Sequence, residues 1–434
     1  MKTSFSLLTL GVLLLSLVAC AAPPLPTPPQ VVRAEVVQSD KPRNLTPNVP
    51  PEDLVELVSG NTDFALHLFR WLSAEKSENF FYSPYSISVA LAMTYAGARG
   101  ETEQQMAKAL NFNLPQERLH PAFNALDQQL ASLTAAAPGN EEGQGFRLQI
   151  ANALWGQQGF EFLREFLDTL AQNYGAGLRL VDFQSDPEAA RQVINQWISD
   201  QTEQKIKDLI PQGALDPLTR LVLTNAIYFN AAWQYPFQKE ATVEEPFTLL
   251  NGEKVNVPMM KLSKSLLYAE GEDYQLVSLP YEGGRVEMVV ILPAAGQFET
   301  FSAKIDSDWL RRALEQRQAH TVNLRLPKFK VESDFSLVNA LSSFGMPLAF
   351  TPDQADFSGM DGKRDLYIGE VLHKAYVNVD EAGTEAAAAT AVIMELTAIL
   401  PEQPVTMIVD RPFCFLIREV QSGTVLFVGQ VRSP

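Results

Sequence analysis

The residues whose types and spacing could do chemistry are few. The 434-residue chain holds four histidines, His67, His120, His320 and His373. It contains no His-Glu-x-x-His, Cys-x-x-Cys, Gly-x-Ser-x-Gly or phosphate-loop pattern, so zinc, acyl-transfer and nucleotide chemistry lack their usual signals. The 51 Asp and Glu residues are expected on the solvated surface of an acidic protein. No catalytic residue, metal or cofactor is expected, and the chain reads as no enzyme.

The stretch from Glu381 to Ala398 carries a different signal. Read with period two, Thr384, Ala386, Ala388, Thr390, Val392, Met394 and Leu396 share one face, small first and then apolar, with Glu385 and Glu395 opposite. A small, uncharged inner face lets a strand slide between two existing strands, whereas a charge or a proline there would obstruct the hydrogen-bond ladder. Local propensity alone would allow a surface helix capped by Thr384. The apolar, proline-containing continuation to Asp410 argues against that helix.

The elements that would position such a segment can be read by periodicity. Apolar residues from Asp53 to Ser73 recur at helical spacing and predict two amphipathic pieces around Ser59-Gly60. Ser83-Pro84 marks a helix start, and Ile87 to Ala98 is apolar enough to be a buried helix. Short β-branched and aromatic runs at 222–229, 286–292, 322–329, 376–379, 413–417 and 425–431 predict strands. Helices come first and sheets later, an α+β pattern. Cys414, between Phe413 and Phe415, is expected to be a small buried hydrophobe.

Hydrophobic residues make up 46% of the chain, enough for a packed core. The formal charge of −17 argues against a nucleic-acid partner, because each phosphate contact needs a Lys or Arg. Lys2 precedes an apolar run, Leu7 to Val18, of signal-peptide length. Leu17-Val18-Ala19-Cys20 resembles the bacterial lipobox, which implies cleavage after residue 19, a lipid on Cys20 and an extracytoplasmic, membrane-anchored protein. Nine prolines between Ala21 and Glu52 predict an extended spacer over 20–52, ahead of one large domain over 53–434. Asn44-Leu45-Thr46 is taken as part of that spacer.

With these residues in view, the chain resembles the serpin family. Glu381, Gly383, Thr384 and Ala386, Ala387, Ala388 and Ala389 match the hinge of inhibitory members. Further matches are Asn79 to Ile87, Leu223 to Asn230, Trp233, Phe237, Leu326-Pro327-Lys328-Phe329, Asp356 to Met360, His373-Lys374-Ala375 and Asp410-Arg411-Pro412-Phe413. The resemblance runs from about Leu54 to Pro434.

It implies a serpin fold with three sheets, eight or nine helices and an exposed reactive-centre loop over roughly 383–409. It implies inhibition in which a serine protease attacks the loop as bait, forms an acyl-enzyme, and is trapped when the cut strand inserts into the main sheet. A cysteine protease is a second class of target, and a non-inhibitory serpin acting as a binding protein is the alternative. Glu381 and Gly383 would form the hinge, Gly383 supplying unusual backbone angles, and Thr384 through Thr390 would enter the sheet. Counting along the family pattern sets the reactive bond at Thr397-Ala398, with Leu396-Thr397 as runner-up. Thr397 would suit elastase-like or subtilisin-like proteases and Leu396 chymotrypsin-like ones. No basic residue lies between Glu381 and Asp410, which makes trypsin-like enzymes poor candidates. Ser83, Ser86, Asn225 and His373 match the polar shutter and Trp233 the breach. A monomer is expected.

Overall fold

The computed structural model describes residues 34–135, 147–384 and 403–434. Ten α-helices occur among them, against the eight or nine expected, because one-turn pieces are included. They are α1 (Pro51–Glu75), α2 (Pro84–Tyr95), α3 (Gly100–Leu110), α4 (Gln116–Ala135), α5 (Arg164–Tyr174), α6 (Pro187–Gln201), α7 (Phe298–Ser302), α8 (Ser307–Glu315), α9 (Val338–Ser343) and α10 (Ser358–Asp361). The break expected at Ser59-Gly60 is absent: α1 is continuous for 25 residues. Gly60 serves close packing instead, since a Cβ there would lie 2.2 Å from the Asn111 carbonyl oxygen.

The strands are β1 (Glu35–Val37), β2 (Phe80–Tyr82), β3 (Arg147–Gln157), β4 (Leu178–Val181), β5 (Leu221–Ala232), β6 (Val243–Thr248), β7 (Lys254–Glu270) and β8 (Tyr274–Pro280). After them come β9 (Val286–Pro293), β10 (Gln318–Pro327), β11 (Phe329–Ser336), β12 (Ile368–Val379), β13 (Gly383–Thr384), β14 (Val405–Ile408), β15 (Phe413–Glu419) and β16 (Val425–Val431). Two hydrogen-bonded networks result, one in the order β1-β4-β3-β5-β13-β12-β11, the other in the order β14-β10-β7-β8-β9-β15-β16-β2 with β6 on β7. The second and third of the three expected sheets are continuous, because the 17-residue β7 pairs with β6 and β10 over one stretch and with β8 over its end. The single strand expected over 322–329 is two strands in different sheets, divided at Pro327-Lys328, where Lys328 N–H donates to Pro258 O.

The spacer expected over 20–52 ends earlier than its composition suggested. Residues 34–50 dock on the body. β1 pairs antiparallel with β4, Lys41 Nζ lies 2.7 Å from Asp168, and Arg43 bonds Asn124 at 2.9 Å and Asp127 at 2.6 Å. Asn124 in turn donates to the Asn44 carbonyl at 2.7 Å. Proline content measures stiffness and says nothing of whether the remaining backbone groups meet partners. No helix among the described residues is long and apolar enough to cross a membrane.

Two apolar cores result. The larger fills the space between the two networks under α1 and α2. A smaller one covers the other face of the seven-stranded sheet beneath α6, with Trp155, Ile194, Ile198, Val222, Ala226 and Leu372 at its centre. It therefore crosses from β5 to β12. The seam between those strands is thus packed on both faces. Cys414 is buried as expected, and its surroundings push the thiol up to about 12, so it stays protonated and inert.

Candidate functional site: the seam between two central strands

β5 and β12 lie side by side in parallel, Leu223 opposite Val371 and Asn225 opposite His373. Crossing the middle of this seam is a buried polar network. Ser83 caps α2, its Oγ accepting from Ser86 N–H at 3.1 Å, and Ser83 N–H donates to His373 Nε2 at 3.3 Å. Because Nε2 accepts, the ring proton sits on Nδ1, which donates to Asn225 Oδ1. Asn225 Nδ2 donates to Ser86 Oγ and Asn152 Oδ1. Ser86 Oγ donates to Asn152 Oδ1 at 2.9 Å, and Asn152 Nδ2 returns a bond to Ser86 O at 3.0 Å. Ser83, Ser86, Asn225 and His373 are thus brought together as the sequence reading required. Asn152 of β3 was missed, since nothing in its own neighbourhood marks it. Burial lowers the His373 pKa to about 3, leaving a neutral imidazole.

At one end of the seam the two strands part. β13 enters between them, antiparallel to both, with Thr384 opposite Ala231 of β5 and Val379 of β12. Trp233 organises this end: its backbone N–H donates to Ala382 O and its indole Nε1 to Asp380 O, each at 2.9 Å. Asp380 Oδ1 accepts from Ala382 N–H at 2.8 Å, so the chain turns sharply into the sheet. Glu381 is buried and held on both carboxylate oxygens, by Lys328 Nζ at 2.8 Å and by Thr242 Oγ1 at 2.8 Å. Burial alone would raise its pKa. The bonds from Lys328, its own backbone and Thr242 outweigh burial and hold it below the ordinary carboxylate value.

Gly383 is needed for a reason other than the expected one. Its φ is not among the positive values in the chain. A Cβ at that position would lie 2.2 Å from Ala231 O, so the strand can approach β5 only without a side chain. Thr384 is fully buried. Of the positions expected to follow it, Ala386, Ala387, Ala388, Ala389, Thr390 and the reactive bond at Leu396, Thr397 and Ala398 lie outside the described residues, as does Cys20.

Among the described residues no group of three or more His, Cys, Asp or Glu side chains could hold a metal ion. A two-strand seam with a polar clasp in its middle and a loop already wedged at one end matches a known architecture. The family model described as Serpin (serine protease inhibitor) matches residues 59–434. The chain is a serpin. Relatives include the human leukocyte elastase inhibitor, 40% identical over 391 residues, spanning 87% of this chain and all of the relative. A serpin-like protein of Thermococcus kodakarensis is 38% identical over 379 residues, covering 87% of this chain and 86% of its own. Solved structures of similar fold include native tengpin, a thermophilic serpin, with TM-score 0.79, 30% identity and coverage of 93% of this chain and all of the other. Uncleaved ovalbumin has TM-score 0.77, 26% identity and coverage of 87% of this chain and all of the other.

These findings establish the serpin fold and membership of the serine protease inhibitor family. They also correct the reading of the chain as merely no enzyme. The human relative is named as an inhibitor of leukocyte elastase, and the matching family model is described as serine protease inhibitor.

Proposed function

We propose that this serpin inhibits a serine protease of elastase, subtilisin or chymotrypsin type by presenting Thr397-Ala398 as bait and inserting the cut strand along the β5–β12 seam. The observation that carries this reading is β13, a two-residue strand already paired to both walls of the seam. Continuing that pairing one residue at a time moves the loop position from 384 to 390 while its partners fall from Ala231 to Asn225 and from Val379 to His373. The inserted strand would thus part the His373–Asn225 bond and put the Thr390 hydroxyl at the level of those two polar groups. The small inner-face residues Ala386 and Ala388 fit the same track. Inserting a strand supplies two rows of backbone hydrogen bonds and buries apolar surface, which makes the uncut form a kinetic trap.

The test is to mix the body starting at Ala34, so that β1 and the 34–50 segment are kept, with each of the three protease types and examine denaturing gels and mass spectra. A covalent adduct with the loop cut after Thr397, or after Leu396, is the expected result. Cleavage with free, active protease would instead favour a non-inhibitory binding protein. We also propose that Cys20 carries a lipid that tethers a monomeric inhibitor outside the cytoplasm. Loss of membrane-fraction recovery in Cys20→Ala, with the size of one chain for the soluble body, is the expected outcome.

A further inference from the structure

At the wedged end of the seam, the Tyr281 hydroxyl and Thr384 Oγ1 are 2.7 Å apart in a fully buried contact. Tyr281 directly follows β8, a strand of the other sheet network, and forms an isolated antiparallel bridge with Trp233. Its ring is fixed on two sides, stacked on Trp233 with centroids 4.5 Å apart at 12°, and edge-on to Phe229 at 5.2 Å. Burial raises its pKa far above the ordinary range, so the hydroxyl keeps its proton and remains a donor.

We propose that Tyr281 is the positioning residue that latches Thr384 into the seam and thereby gives strand insertion its head start over deacylation. This rests on the inhibitory reading above. After the loop is cut, two processes compete: hydrolysis of the acyl bond, which releases active protease, and zipping of the strand, which strands it. Zipping starts from Thr384. With its side chain held by a ring that is itself clamped by Trp233 and Phe229, the first inserted residue is in place before cleavage. Without the hydroxyl bond the hinge can leave the seam, and the first pairing step must be made during the competition.

Tyr281→Phe keeps the stacked ring and removes only the hydroxyl. The ratio of substrate turnover to trapping is expected to rise roughly fivefold, the factor for about 1 kcal/mol of lost hydrogen bonding, while the rate of loop cleavage stays unchanged. Thr384→Val should give a similar rise, and the double variant should be no worse than either single one, because both remove the same bond. An unchanged ratio, or additive effects in the double variant, would overturn the latch. If the wild-type chain traps no protease at all, the inhibitory reading fails on its own account and the latch is judged without protease. Hydrogen exchange of the Gly383 and Thr384 amides should then be faster in Tyr281→Phe, and equal exchange would overturn it.

Discussion

The middle of the β5–β12 seam and the turn that enters its wedged end are held by opposite chemistry. In the middle, buried His373, Asn225 and Ser86 and half-buried Asn152 form a neutral network. At the wedged end, a carboxylate–ammonium pair between Glu381 and Lys328 does the holding, and Lys328 is 37% exposed. A neutral clasp carries no desolvated charge, and it can be exchanged for an incoming hydroxyl without leaving an ion stranded. A charged clasp tolerates the partial exposure found at the turn into the seam. The seam therefore carries a neutral, buried network at its middle and a charged, partly exposed pair at its wedged end.

The sharpest break of this comparison is a charge placed inside the wedged end. Thr384→Arg would put a guanidinium where Tyr281, Trp233 and β5 leave no water, at a cost of several kcal/mol. Trapping should fall to nothing while cleavage continues, so that protease assays show full recovery of activity after the loop is consumed.

Next in size is removal of the central clasp. His373→Ala deprives Ser83 N–H and Asn225 Oδ1 of their partner and leaves a void, and should lower stability by about 3 kcal/mol. Urea unfolding of the uncut form measures this, with a matching rise in spontaneous insertion.

Acid should separate the two clasps. His373, near 3, and His120, near 4, both lie below the ordinary 6.5, so the folded chain binds fewer protons than the unfolded one between those values. Their contribution is complete above about pH 6.5 and is lost as the pH falls toward 4 and then 3. Glu381 is also depressed, but from 4.5, so its contribution is complete above about pH 4.5 and is lost only below that. Unfolding midpoints followed down from pH 7 should therefore fall first through the histidines, and His373→Ala should flatten the early slope.

The smallest effect is expected at Lys328. Lys328→Met removes one partner of buried Glu381 but leaves the Thr242 bond, and solvent already screens the half-exposed ammonium, so a loss of about 1 kcal/mol is expected. Added salt should weaken the wild-type protein at this point and leave the variant unaffected.

Much of the site was legible in the sequence. Glu381 to Thr384, the four residues Ser83, Ser86, Asn225 and His373, and Trp233 all came from motifs; the structure bonds the four to one another and Trp233 to Asp380 and Ala382. Tyr281, Thr242 and Asn152 did not, because each acts across a sheet or between sheets and its sequence neighbours carry no trace of its partner. Lys328 stood inside a matched motif without a role. Its role depends on the chain changing sheets at Pro327-Lys328, which a run of strand-like residues does not reveal. The helix break expected at Gly60 failed for a related reason: a glycine in a pattern shows that a side chain is missing and leaves open whether a turn or a neighbour needs the room.

By itself the sequence determined the α+β class, the strand and helix periods, the small uncharged face from Thr384 onward and the family. These follow from local pattern, since burial of one face writes its period into the chain. Only the tertiary structure decided that β13 is already wedged between β5 and β12, that Gly383 is there for close approach, and that residues 34–50 belong to the body. Each of those depends on which distant backbone lies alongside, and pairing between strands separated by 150 residues, such as β13 with β5, is set by the packing of the whole core.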